Sequence, residues 1–185
     1  MNTLVLASNS KARYKLLKDA GYNVIVQSTN IEEKSNKISP HEIVMDLAKQ
    51  KLNAYIEKYG KKQNKIILSA DTMILYKNQL IGKANNKNEA YNILKKLSND
   101  SHEIFSAFAI HLPNEQIIVD YDKVDIKFKN LSDLSIMDYL ESDEWKGAAG
   151  AYRIQDKAKD FIKEINGDFN VAVGLPLNKI SDLIE

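Results

Sequence analysis

Apolar and polar positions along this chain switch between two rhythms. Thr3 to Ala7 is a short continuous apolar run, as expected of a strand buried on both faces. Ser8 to Ser10 then interrupt it. From Lys11 onward Ala12, Leu16, Leu17 and Ala20 recur at helical spacing, with Ser10 placed as N-cap and Gly21 as the residue after the C-cap. Val24 to Val26 returns to a strand. The opening is a strand, helix, strand unit with its polar turn at the helix N-terminus.

Beyond a polar loop over 30–39, Ser39, Pro40 and Glu42 form a helix start: cap, first-position proline and a capping-box glutamate. The helix is expected to run to about Tyr59, with Ile43, Leu47, Leu52 and Ile56 inward and Gly60 with two lysines ending it. Ile66 to Ala70 reads as a buried strand with Asp71 directly at its end. Met73–Tyr76 and Gln79–Ile81 flank a two-residue turn at Lys77-Asn78. A helix over Asn88–Leu97 follows, then antiparallel strands over Ile104–His111 and Gln116–Lys127. Ser132 caps a helix through Leu140, Lys157–Ile165 and Leu177–Ile184 read as helices, and Val171–Val173 as strand-like. No repeat or linker interrupts the series, so the pattern predicts one mixed α/β body around a central sheet.

Composition narrows what such a body does. Its 185 residues suffice for one domain with a real core, and a formal net charge of +1 gives no overall pull toward nucleic acid or a membrane surface. The absence of cysteine excludes disulfides, thiolate metal sites and a cysteine nucleophile. No segment approaches ~20 apolar residues and no charged region precedes the first apolar run, so the expectation is a cytoplasmic protein with neither signal peptide nor membrane span. Of 26 basic residues only Arg13 and Arg153 are arginine. In so lysine-rich a chain, arginine marks places where a planar fork is needed.

Four clusters carry candidate chemistry. Ser8, Ser10 and the unpaired amides of the first helical turn make an anion site, over which the Arg13 fork could close on phosphate. Asp71 stands where a carboxylate could hold a divalent metal or deprotonate water, and Lys83 could neutralise phosphate oxygens. Glu32, Glu33 and Lys51 matter only if they reach the same place as Asp71. Gly147 to Gln155 (GAAGAYRIQ) pairs small residues for close backbone approach with Tyr152, Arg153 and Gln155, suited to a base edge. Neither G-x-x-x-x-G-K-[ST] nor G-x-G-x-x-G occurs, which removes P-loop and Rossmann readings. His41, His102 and His111 lack metal-ligand spacing and read as structural.

Taken together, the order of these segments resembles the Maf family of nucleoside triphosphate pyrophosphatases, fold relatives of the inosine triphosphate pyrophosphatases. Leu6–Leu17 matches the family's L-A-S-x-S-P-R-R-x-x-L-L, Leu47–Lys51 its L-A-x-x-K, Ala70–Thr72 its A-D-T and Gly82–Ala84 its G-K-P. Ala148–Gln155 matches K-A-G-A-Y-G-I-Q, Gly174–Leu177 matches G-L-P-L, and Glu33 matches the glutamate after the second strand.

The resemblance implies a single domain over residues 1–185, a mixed sheet with flanking helices and a cleft between two lobes. It implies hydrolysis of a nucleoside triphosphate to monophosphate and pyrophosphate with a divalent cation, Mg2+ or Mn2+. Asp71 would be the base and, with Glu33, the metal-holding pair; Ser8, Arg13, Lys51 and Lys83 would hold phosphates. Ala12, Thr72 and Gln155 fall where the family sorts substrates. Thr72 and Gln155 match the branch acting on dTTP and UTP, whereas Ala12 replaces that branch's first arginine. The alternatives are the 7-methyl-GTP branch and a nucleotide-binding regulator of cell division. The nucleotide is the expected partner, without nucleic acid or membrane, and a homodimer is left open.

Overall fold

The computed structural model describes residues 3–61 and 64–184; Lys62, one of the two lysines expected to end the second helix, falls outside them. In chain order the elements are β1 (Thr3–Leu6), α1 (Lys11–Asp19), β2 (Asn23–Val26), α2 (Pro40–Tyr59), β3 (Ile66–Tyr76), β4 (Gln79–Ile81) and α3 (Lys87–Leu97). β5 (Ser101–His111), β6 (Ile117–Phe128), α4 (Asp133–Leu140), a short 3-10 helix (Lys157–Phe161), β7 (Ile162–Asn166), α5 (Phe169–Val173) and α6 (Leu177–Ile184) complete them. The strands form one mixed sheet in the order β2-β1-β3-β5-β6-β7, with β4 on β3. β1 lies parallel to both neighbours, with Leu4 opposite Val24 and Ile66. No helix among the described residues is long and apolar enough to cross a membrane.

Two compact units divide the chain. The first comprises 1–72, 106–122 and 174–185, the second 73–105 and 123–173, and β3, β5 and β6 each pass from one into the other. In the first, alternation along β3 sends Ile66, Leu68 and Ala70 into a core with Leu4, Leu6, Leu17 and Phe108, closed by Leu175 and Ile180. The opposite positions meet α2: the buried Ser69 hydroxyl donates to the Ala48 carbonyl at 2.6 Å. In the second unit, Ile74, Leu94, Ile126, Phe128, Trp145 and Phe161 belong to a separate core.

Three expectations are corrected. Asp71 does not end a strand, because β3 continues unbroken through it to Tyr76. Lys157–Ile165 is not a helix, although Ala158, Phe161, Ile162 and Ile165 have helical spacing. After one 3-10 turn the chain instead pairs antiparallel with β6, and a register shift between Lys127 and Phe128 places Ile165 opposite Ile126 and Ile162 opposite Phe128. That bulge lets two isoleucines three residues apart both pack on the core. Val171–Val173 is helical, beginning where the Asp168 carboxylate accepts from the Asn170 amide.

Candidate active site

The turn after β1 is built as its residues require. The Ser10 hydroxyl accepts from the Arg13 amide at 3.3 Å and caps α1, while the Ser8 hydroxyl accepts from the Ser10 amide at 3.3 Å. The Arg13 guanidinium, however, is directed inward. Its Nε donates to the Gly174 carbonyl at 2.9 Å, one terminal nitrogen to the Ala70 carbonyl at 2.9 Å and the Ser8 hydroxyl at 3.1 Å, and the other to the Thr72 hydroxyl at 3.0 Å. Burial lowers its pKa from the usual arginine value, against the opposing pull of Asp71 and Glu33. Four N–H groups therefore have protein acceptors, leaving one of the fork's five. The fork expected to close on phosphate is largely occupied by the protein itself.

Asp71 faces the other way. Its side chain is 8% exposed, and Oδ1 accepts from the Lys51 ammonium of α2 at 2.5 Å; the same ammonium stands 3.0 Å from Glu33 Oε1. Of the three residues expected to matter only beside Asp71, Glu33 and Lys51 reach it through this one ammonium, whereas Glu32 pairs with Lys34 at 2.6 Å on the exposed surface. Burial raises the Asp71 pKa from its ordinary value, outweighing the lowering by Lys51 and Arg13, while Glu33 adds to the rise. A carboxylate that resists ionisation is a stronger base, and here it lies beside the cation that orients it.

Glu33 itself is 44% exposed, on a loop that α2 straps down. The Ser35 hydroxyl donates to Asp46 Oδ2 at 2.6 Å, and the Gln50 amide donates at 2.9 Å both to that oxygen and to the Lys34 carbonyl. Asp46 and Gln50 are one helical turn apart and next to Lys51. Sequence reasoning passed over both, since polar residues at i and i+4 read as a solvated face.

Thr72 was expected to sort substrates, yet its hydroxyl is engaged by Arg13, by the Ser106 hydroxyl at 2.9 Å and, more loosely, by the Gly174 carbonyl at 3.4 Å. Ser106 is fully buried and carries no sequence signal. Gly174 had one, inside G-L-P-L: at φ +120° it is accommodated by glycine, and an added Cβ would lie 3.2 Å from the Thr72 hydroxyl oxygen and 3.5 Å from Arg13 Nε. Ala12 is half-buried on α1.

Lys83, Arg153 and Gln155 belong to the second unit. Lys83 forms an antiparallel bridge with Ala149, and the Gly150 amide donates to the Gly82 carbonyl at 3.0 Å, so G-K-A and GAAGAYRIQ are zipped side by side. Gly150 has φ +65°, and a Cβ there would meet Ile74 Cδ1 at 2.3 Å. Gly150→Ala is expected to cost about 2–4 kcal/mol from overpacking and a left-handed backbone, read as a lower urea midpoint at unchanged m. Tyr152 is held by a 2.6 Å bond between its hydroxyl and His102 Nε2. Burial depresses the His102 pKa to about 4, so the imidazole is neutral in this contact at pH 7. The Arg153 guanidinium donates to the Lys146 carbonyl at 3.0 Å, closing its own turn, and the half-buried Gln155 amide donates to Asp156 Oδ2 at 3.1 Å.

Comparison with known proteins places this arrangement. Residues 3–185 match the family described as Maf-like protein. The chain is 37% identical over 177 residues to a dTTP/UTP pyrophosphatase of Fusobacterium nucleatum, covering 95% of this chain and 90% of that protein. It is 39% identical over 182 residues to a dTTP/UTP pyrophosphatase of Alkaliphilus oremlandii, covering 97% and 93%. Among solved structures, a HAM1 protein from Coxiella burnetii aligns with 100% of this chain and 98% of its own at 15% identity and a TM-score of 0.49.

Proposed function

Because this chain belongs to the Maf-like protein family, we propose that it hydrolyses a pyrimidine nucleoside triphosphate, dTTP or UTP, to the monophosphate and pyrophosphate. The observation that carries the mechanism is the Lys51 ammonium shared by Asp71 and Glu33 at 2.5 and 3.0 Å. Lys51 fixes Asp71 Oδ1, which leaves Oδ2 to take a proton from the attacking water. The raised Asp71 pKa makes that transfer more favourable than at an exposed aspartate.

The donor set suits a divalent cation, Mg2+ or Mn2+. No group of three or more metal-ligating side chains occurs among the described residues. Mg2+, however, is commonly held by one or two carboxylates plus substrate phosphates, and Asp71 and Glu33, which share the Lys51 ammonium, are the carboxylates that would supply them. When bound, such an ion offsets negative charge on the phosphates and on the leaving pyrophosphate. Ser8 already accepts two N–H bonds, so its own O–H is available to donate to a phosphate oxygen. By their places in the family's motifs, Lys83 is assigned to phosphate neutralisation and Gln155 to the base edge, with Ala12 and Thr72 influencing the choice of nucleotide.

A panel of nucleoside triphosphates, assayed for pyrophosphate release with Mg2+ and Mn2+, tests the reading. dTTP and UTP are expected to exceed ATP, GTP and 7-methyl-GTP by about tenfold or more in kcat/KM. A preference for 7-methyl-GTP would move the chain to the other branch. Nucleotide binding without hydrolysis under every condition would favour a regulator.

A further inference from the structure

β3 separates two groups of side chains by simple alternation. Ala70 and Thr72 lie on the face shared with Leu68, against Leu17 of α1; Asp71 lies on the opposite face with Ser69, against Ala48 and Lys51 of α2. Arg13 comes from α1. Its fork grips the residues on either side of Asp71, the carbonyl of Ala70 and the hydroxyl of Thr72, while Lys51 holds the Asp71 carboxylate from the other face.

The remaining contacts of the fork tie that strand segment to two distant pieces of chain. Ser8 anchors it to the turn after β1, and Gly174 to the segment entering α6. Thr72 extends the same network to Ser106 on β5. The acceptors lie in different directions around one planar group. A lysine ammonium could reach one or two of them, but it lacks the fork that meets all four.

We propose that Arg13 is a positioning residue, a four-acceptor clamp that fixes Ala70–Thr72 and thereby aims the Asp71 carboxylate, rather than a ligand for substrate phosphate. The inference rests on Asp71 being the base of the proposed hydrolysis, but the clamp is a property of the fold and has a readout of its own. The buried Gly174 supports it, since a Cβ there would crowd the Thr72 hydroxyl at 3.2 Å and lie in van der Waals contact with Arg13 at 3.5 Å.

Arg13→Lys and Arg13→Ala separate the two roles. A phosphate ligand would show in KM: Ala would raise it about tenfold or more, kcat would hold, and Lys would restore much of the loss. The clamp predicts that kcat for dTTP or UTP falls about 10- to 100-fold in both variants, with KM within about threefold, because misplacement of a reacting group is costly even when binding persists. Thr72→Val, a milder variant, is expected to lose kcat less and to add little to Arg13→Lys, since both break one network.

Amide hydrogen exchange on the intact chain reads the clamp without turnover. In Arg13→Lys, the segments around 68–72 and 174–177 are expected to exchange about tenfold faster together, with the amides of α3 unchanged. Unchanged exchange in both segments overturns the clamp, as does a KM defect rescued by lysine. If the parent protein hydrolyses no nucleotide, the proposed function fails while the exchange result still decides the clamp.

Discussion

Asp71→Asn is expected to lose about 10²- to 10⁴-fold in kcat for dTTP or UTP and, at the same time, to melt at a higher temperature than the parent. The first half follows from removing the proton acceptor while keeping the shape of the side chain. The second follows from burial. The Asp71 carboxyl ionises less readily in the fold than in the unfolded chain, even with Lys51 and Arg13 nearby. A group whose folded pKa is raised contributes stability below its unfolded pKa, and that contribution disappears as pH rises through the folded value. The parent therefore loses it as pH rises. Asparagine never ionises, and Lys51 keeps Glu33 as its partner at 3.0 Å.

The pH dependence makes this prediction specific. The melting-temperature difference between Asp71→Asn and the parent should be large at pH 7 and should shrink as pH falls toward the ordinary aspartate range, where the parent's carboxyl is protonated too. Differential scanning calorimetry between pH 4 and 8 measures it; each kcal/mol corresponds to roughly 2–4 °C for a protein of this size. A variant that is both fully active and less stable would falsify the assignment of Asp71 as a strained, buried base. Stability sacrificed at the reacting group is the usual sign of a functional site.

Which parts of this site were legible in the sequence depended on how far each interaction reaches. The β1 turn, the Ser10 cap and the start of α2 at Pro40 are governed by neighbours within four residues, and the structure has them where the pattern placed them. Even there the capping box differs: the Ser39 hydroxyl donates to the Glu42 carboxylate instead of capping an amide. β3 was misread as two strands because Ser69, Asp71 and Thr72 break its apolar run. Those polar residues are paired by Ala48, Lys51, Arg13 and Ser106, partners 20 to 59 residues away that no local pattern encodes. The same holds for Arg13. Its rarity in a lysine-rich chain correctly marked a place needing a fork, but the acceptors are Ala70 and Gly174, 57 and 161 positions on, and only the fold brings them in. β7 shows the opposite error: a true helical spacing was overridden by pairing with β6 and absorbed by a bulge.

Lys51→Met should have the larger structural cost. The methionine keeps most of the volume of the lysine stem but removes the ammonium shared by two carboxylates, one of them 8% exposed. Breaking a buried pair from one side leaves a charge without its partner, typically about 3–5 kcal/mol. Losing Lys51 also removes the largest influence that lowers the Asp71 pKa, so proton uptake offsets part of this and a loss of about 3 kcal/mol is expected, or roughly 6–12 °C in melting temperature. Activity should fall at least about 10²-fold, because the base then ionises less readily and is no longer oriented. The double variant Lys51→Met/Asp71→Asn isolates the cause. If the penalty is the unpaired carboxylate, neutralising it restores most of the lost stability and none of the activity, a non-additive result that urea denaturation of the four proteins would show. If the double variant is as unstable as Lys51→Met alone, the lysine contributes through packing of its stem, and the charge shared between Asp71 and Glu33 is not what holds this corner of the site together.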